Sequence, residues 1–309
     1  MKRASPLHSA STRIKKEVKK ALPRQVLDCI IRVRGHKRRH GYFPNIIRPQ
    51  TFNEKVLHRI LFDRRNLLTQ LADKATMRSY VEERLGPQIL PRLYHLTSDP
   101  KTVPFHELPD EFVVKATHGS GWVEIVRDKS TLDRAALIET CTKWLGQSYY
   151  ERTREWPYKH IKPRIIVEQF VDDGTGEIPN DYKLFVFAGV VKLIQVDACR
   201  FKDHRRRFYS PSWEKLNVLL KYEDIDGTVG RPLHLIEMIA AAEMLGKDLD
   251  FIRADFYDTP DGPYLGELTT TPYCGLQRFQ PRDFDRQLGT LWKLPPVRLL
   301  PLFRDGSVR

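Results

Sequence analysis

The apolar residues of this chain fall into two rhythms. Near the N-terminus they recur at helical spacing. Ile14, Val18 and Leu22 share one face beside Lys15, Lys16, Lys19 and Lys20, and Val26, Leu27, Ile30 and Ile31 form a second set after Pro23. "TFNEKVLHRILFDRRN" (51–66) predicts a helix with Asn53 near its cap. "LADKATMRSYVEERLG" (71–86) predicts another, capped by Asp73 and stopped by Gly86. From residue 111 the rhythm shortens to strands. "EFVVKATHGSGWVEIV" (111–126) reads as strand, glycine-bearing turn and strand, followed by a helix from Ser130. "RIIVEQFV" (164–171) is an apolar strand, and "DYKLFVFAGVVKLIQVDACRF" a hairpin turning at Ala188–Gly189. "RPLHLIEMIAAAEMLGKDL" is the strongest helix, ended by Gly246. "FIRADFYDTPDGPYLGELTTTP" is two strands around a Pro–Asp–Gly turn.

Composition narrows the class. At 309 residues, 41% hydrophobic and 29% charged, the chain is globular. No apolar run approaches the ~18 residues of a membrane span, and no signal peptide is expected. Cys29, Cys141, Cys199 and Cys274 lie far apart with no CxxC pair, so reduced thiols are expected and zinc is not. Net charge is +13, and residues 1–50, with 14 Lys and Arg against 2 acids, carry +12 of it. Basicity is therefore an attached N-terminal feature. It suits an anionic membrane surface, while a helix packed on the body with a solvated lysine face is the plainer reading. Nucleic acid is not the expected partner.

The chemistry is expected on strands. Lys115, Glu168, Asp181, Lys183, Arg253, Asp255 and Glu267 each interrupt an apolar, strand-like segment. Charges in buried strands are costly unless paired or liganded. Three cations and several carboxylates on separate strands suit a nucleoside triphosphate with magnesium. Lys and Arg would neutralise phosphate oxygens, and carboxylates supply hard ligands to the metal. "HGSG" (118–121) offers backbone N–H groups and small residues for close phosphate approach, although no Walker A pattern is present. Taken singly, Arg253, Asp255 and Tyr257 also fit the polar face of a half-exposed hairpin, and Lys115 a surface lysine. Trp122, Trp144 and Trp213 read as packing residues. Arg200 fits either a substrate contact or a structural salt bridge.

In order, "TFNEKV", "LADKATMRSYV", "FVVKATHGSG", "IKPRIIVEQ", "DYKLFVF", "RADF" and "GELTTTP" resemble the TupA-like branch of the ATP-grasp superfamily, named for teichuronopeptide biosynthesis, over about residues 50–290. The resemblance implies an α+β ATP-grasp fold, two sheet-bearing subdomains sandwiching ATP, behind a helical basic N-terminal extension. The expected divisions are 1–50 extension, 51–110 helical lead-in, 111–184 first subdomain and 185–309 C-terminal subdomain. Lys115 would hold the α/β-phosphates. His118, Gly119, Ser120 and Gly121 would form the loop closing over them. Glu168, Gln169, Phe170 and Val171 would be the hinge that reads adenine. Asp181 would meet the ribose, Lys183 the phosphates, and Lys74 the nucleotide from the lead-in. Arg253 would stabilise the transferred phosphoryl group. Asp255 and Glu267 would ligate magnesium, with Thr269 standing where most ATP-grasp enzymes carry the asparagine of E-x-N.

The implied activity is an ATP- and Mg²⁺-dependent carboxylate–amine ligase with an acyl-phosphate mechanism, serving cell-surface polysaccharide or related biosynthesis. The substrates would be a carboxylate and an amine, carried on a polysaccharide or lipid-linked sugar. The expected location is the cytoplasm, with the basic arm peripheral on the inner membrane face. Three other readings stay open: a kinase acting on a hydroxyl, a glycosyltransferase using "DID" (224–226) or "DLD" (248–250), and a non-catalytic polyanion binder.

Overall fold

The computed structural model describes residues 22–174, 178–199 and 203–296. The expected amphipathic face at Ile14 and Val18, and Arg200, lie outside the described residues.

Helix α1 (Arg24–His40) starts directly after Pro23, whose fixed φ suits a helix entrance, and ends at Gly41 in the left-handed region. Helix α2 (Phe52–Phe62) is capped by Thr51, not by Asn53. The Thr51 hydroxyl accepts from the Glu54 amide while Glu54 returns to the Thr51 amide. Asn53 instead points inward and donates to the Gln277 carbonyl. The helix expected over 71–86 is two helices, α3 (Asn66–Ala72) and α4 (Lys74–Leu85). Asp73 ends the first in an extended conformation and caps the second. The helix expected from Ser130 starts later, as α5 (Arg134–Leu145) behind its cap Asp133, and α6 (Tyr149–Thr153) follows. Helices α7 (Leu235–Gly246) and α8 (Asp283–Leu291) complete the set among the described residues.

Two antiparallel sheets position the site. The smaller has strands β1 (Leu93–Thr97), β2 (Phe112–Ala116), β3 (Val123–Val126) and β4 (Ile165–Gln169) in the order β1-β4-β2-β3. Phe112, Val114, Ala116, Ile165 and Val167 face α5, packing on Leu137, Cys141 and Trp144. The larger sheet holds β5 (Asp181–Phe187), β6 (Val190–Ala198), β7 (Arg205–Tyr209) and β8 (Lys215–Leu216). The hairpin β10 (Phe251–Thr259) and β11 (Gly262–Thr269) joins it at the β5 edge, and β9 (Leu219–Leu220) pairs apart with β12 (Phe279–Gln280). The division expected between residues 184 and 185 falls inside β5, which belongs whole to the larger sheet.

This sheet is covered on both faces. Leu184, Val186, Ile252, Ala254 and Phe256 pack toward α4 and α7 around Val81, Met238 and Leu245. Phe185, Phe187 and Phe251 pack toward α2 and α8 around Phe52, Ile60 and Trp292. Period-two alternation places Lys183, Arg253 and Asp255 on this second face, beyond the end of the aromatic cluster. The half-exposed reading of the hairpin therefore fails, since Arg253 and Asp255 are 5% and 2% exposed.

Candidate active site

The two sheets face each other across a cleft. Val113, Lys115, Val123 and Ile125 line it from the smaller sheet, and Asp181, Asp255, Tyr257 and Glu267 from the larger. Lys74, from the start of α4, reaches in between, and its Nζ donates to the Gly119 carbonyl at 2.6 Å. Burial lowers the Lys74 pKa, opposed by the charge of Glu267.

At one wall, Lys115 Nζ lies 2.8 Å from Glu168 Oε2. Arg78 holds the other oxygen at 2.9 Å, a contact with no forewarning in the sequence. Burial alone would push the Glu168 carboxyl up, but Lys115, with Arg78 and Lys74, outweighs it and holds the pKa below the usual value. The Glu168 side chain is thus the counter-ion of Lys115. Gln169, Phe170 and Val171 line the cleft. The Gln169 side chain and backbone both bond Arg92, fixing this edge.

The turn 117–121 divides by role. Ser120 and Gly121 line the cleft. Gly121 has φ +78°, a region that favours glycine, and a Cβ on Gly119 would stand 2.6 Å from the Trp122 ring. His118 turns away. It is buried, its Nε2 lies 3.0 Å from the Trp144 carbonyl, and its ring packs on Trp122. Its side chain anchors the turn to α5.

The larger sheet carries an ionic network. Lys183 joins Asp181 and Asp255, the latter at 2.8 Å. Arg253 grips both oxygens of Asp255 at 2.6 Å and reaches Glu267 Oε1 at 3.3 Å and Thr269 Oγ1 at 3.1 Å. Asp255 and Glu267 are register partners across β10–β11, as are Arg253 and Thr269. Register shifts between Asp255 and Phe256, leaving Gly266 as the extra residue of a bulge. A Cβ there would meet the Tyr257 ring at 3.0 Å. Burial pushes Asp255 up to about 6, joined by the charges of Glu267 and Asp181 and opposed by Arg253 and Lys183.

This donor set fits magnesium. Two facing carboxylates and a hydroxyl are hard oxygen donors, and the Asp255 carboxylate is buried where its charge is costly unless partnered. Among the described residues, no group of three or more His, Cys, Asp or Glu could hold a metal alone. The two DxD patterns are committed elsewhere. Asp250 holds Arg59, Arg65 and the Trp292 indole, and Asp224 holds Arg207 and Lys215. Neither lines the cleft.

A second cavity adjoins the cleft, sharing Ser120 and Glu267 with it. Its floor holds Lys183, Asp197, Arg206 and Arg253; its walls are Tyr149, Glu155, Tyr158 and Tyr273. Sequence reasoning missed Asp197, Arg206 and Glu155. The first two are register partners on β6 and β7 joined by a two-pronged ion pair, which the alternation of each strand hints at only once their pairing is known. Glu155 lies in an irregular segment with no periodic signal.

The TupA-like ATPgrasp family model matches residues 54–293. No curated protein matches the chain. Among solved structures, it resembles the ATP-grasp ligase PsnB complexed with a minimal precursor (13% identity, 66% of this chain and 54% of that one, TM-score 0.39). It also resembles D-alanine–D-alanine ligase from Bacillus anthracis complexed with ATP (18% identity, 67% and 56%, TM-score 0.40). A third is the L-amino acid ligase from Bacillus licheniformis (19% identity, 67% and 44%, TM-score 0.41). The chain spans about half the length of these solved structures.

Proposed function

The chain belongs to the TupA-like ATP-grasp family, and on that premise we propose that it is an ATP- and magnesium-dependent carboxylate–amine ligase. The observation that carries the reading is the meeting of the two cavities at Glu267, opposite Asp255. One cavity suits a nucleotide and the other an acceptor, with the charged groups for phosphoryl transfer between them.

In this reading the apolar wall of Val113, Ile125 and Phe170 takes the adenine. Lys74 and Lys115 neutralise the phosphates from one side, and Ser120 and Gly121 present the turn that covers them. Asp255 and Glu267, with Thr269, would hold magnesium, which when bound neutralises phosphate charge and orients the terminal phosphoryl group. Arg253 and Lys183 stabilise the negative charge that develops as a substrate carboxylate attacks the γ-phosphorus in line and ADP leaves. The amine then adds to the acyl phosphate carbon and phosphate departs, giving an amide. No side-chain nucleophile is needed. The proposed division of labour is a smaller sheet (β1–β4) that covers the nucleotide and a larger one that bears the metal. A role on cell-surface polysaccharide precursors, at the cytoplasmic membrane face, rests on the family resemblance and the basic residues 1–50. No helix among the described residues is long and apolar enough to cross a membrane.

The test is titration with MgATP, then assay of ADP release with candidate carboxylates in hydroxylamine. Hydroxamate formation reports an acyl phosphate. ADP release with a hydroxyl acceptor and no hydroxamate replaces the ligase reading with the kinase one, and absence of MgATP binding removes both.

A further inference from the structure

Glu155 is 3% exposed and lines the second cavity. Its Oε2 accepts from the Thr271 hydroxyl and its Oε1 from the Cys274 thiol at 2.9 Å, both neutral donors. Burial, then the Glu155 charge, pushes the Cys274 thiol pKa up, so the sulfur keeps its proton. The other acids of the cavity are neutralised. Asp197 has Arg206 and Lys183, and Glu267 has Arg253. Among the described residues, no Lys, Arg or His nitrogen lies within ion-pair distance of Glu155. The neighbouring Arg32 guanidinium instead donates to the Thr153 and Cys274 carbonyls.

A buried carboxylate without a counter-ion is expensive, and proteins keep one where a cation arrives. The walls beside it are aromatic. Tyr149 and Tyr158 pack at 4.6 Å between centroids. Burial, then the charge of Glu155, pushes the Tyr149 phenol up, so it stays neutral. Phenol rings favour a cation over their faces, as Arg152 over Tyr149 at 4.9 Å and Arg206 over Tyr273 at 5.3 Å already show on two walls of this cavity.

We propose that Glu155 and the tyrosines around it form the seat of a positively charged nitrogen on the acceptor substrate, a primary ammonium group. This deepens the ligase reading and rests on it. Glu155 then selects acceptors by charge and takes up the proton that the ammonium loses before its nitrogen attacks the acyl phosphate, in the cavity that adjoins the nucleotide cleft at Ser120 and Glu267. The seat is closed from behind by α1. Arg32 ties it to both the 149–158 segment and the 272–275 turn, and Asp28 accepts from the Tyr150 hydroxyl.

The experiment uses methylammonium chloride as probe and sodium acetate as its anionic counterpart, on the full chain, read by ligand-observed NMR and by crystal soaks. Methylammonium is expected at Glu155, with acetate absent from that position, and Glu155→Gln weakens methylammonium binding at least ten-fold. The same variant is expected to keep the wild-type Tm, because it preserves the side-chain shape and an oxygen acceptor for its neighbours. Equal binding of the probe by wild type and variant, or failure of wild type to bind it in preference to acetate, overturns the proposal. So does a Tm loss in the variant with methylammonium affinity intact, which marks Glu155 as a structural tie. If the variant does not fold, the wild-type soak decides. MgATP titration runs alongside: normal nucleotide binding with no ammonium site fails this inference alone, whereas no nucleotide binding fails the ligase reading.

Discussion

Lys183 and Asp255 are register partners across β5–β10, and their side chains meet at 2.8 Å inside the protein. Lys183 also touches Asp181 and stands 3.9 Å from Asp197, so one ammonium serves three buried carboxylates. Lys183→Met should destabilise the protein by about 3–5 kcal/mol at neutral pH, since it removes the buried ammonium that these carboxylates share. Denaturant unfolding at pH 7 and at pH 5 checks this, with part of the loss recovered at the lower pH as a carboxylate takes up a proton.

Asp255 sets a pH dependence. Its pKa is raised from 3.8 to about 6 in the fold. Between those values the folded form holds a proton that the unfolded form releases. Stability from this group therefore falls as pH rises from about 4 to about 6 and is flat beyond. The difference in unfolding free energy between wild type and Asp255→Asn, followed across that window without nucleotide, should show this slope. Magnesium-linked stabilisation should run the opposite way, being weaker at pH 5 than at pH 7.5 because the ion needs the ionised carboxylate.

Asp255→Asn and Glu267→Gln should each lower turnover at least 100-fold while the protein stays folded. Each keeps the side-chain shape and removes an anionic oxygen donor. Circular dichroism and MgATP-dependent turnover, measured together, test this; near-wild-type turnover in either variant removes the site assignment.

Thr269 binds Arg253 and donates to Glu267 Oε1 at 3.2 Å, so it braces the carboxylate as well as offering its own oxygen. Thr269→Val should raise the magnesium concentration for half-maximal turnover about ten-fold. Thr269→Asn, which restores an oxygen donor of longer reach, should recover most of it. A magnesium titration of the three proteins is the check.

Arg59, on α2, is fully buried. It bonds Asp250 and the Phe251 and Thr270 carbonyls, holding the base of β10 and the end of β11 to the lead-in helix. Arg59→Met should destabilise by about 3–5 kcal/mol by leaving Asp250 with Arg65 and Trp292 alone. Unfolding curves measure it, and the loss should appear without any change in MgATP affinity per folded molecule.

Much of the site was legible because strand charges are conspicuous. Lys115, Lys183, Arg253, Asp255 and Glu267 interrupt apolar runs, and all of them line one of the two adjoining cavities. Glycines at 119 and 121 marked a tight turn, as the left-handed φ of Gly121 requires. Asn53 misled because its polar side chain suits a cap, while the actual cap, two residues earlier, depended on Thr51 and Glu54 acting together. The side chain of His118 was not legible in its loop, and only packing shows its ring against Trp122 and the Trp144 carbonyl.

The sequence by itself determined the strands that carry the site, the order of their charged positions and the family, since these depend on local periodicity and on ordered motifs. Tertiary structure alone decided which charges neutralise one another. Glu168 with Lys115 and Arg78, Asp197 with Arg206, and Glu155 with the Cys274 thiol are separated by 9 to 119 residues from the partners that define them. Coulomb energy depends on distance in space and on burial, and neither is written in the spacing of residues along a chain.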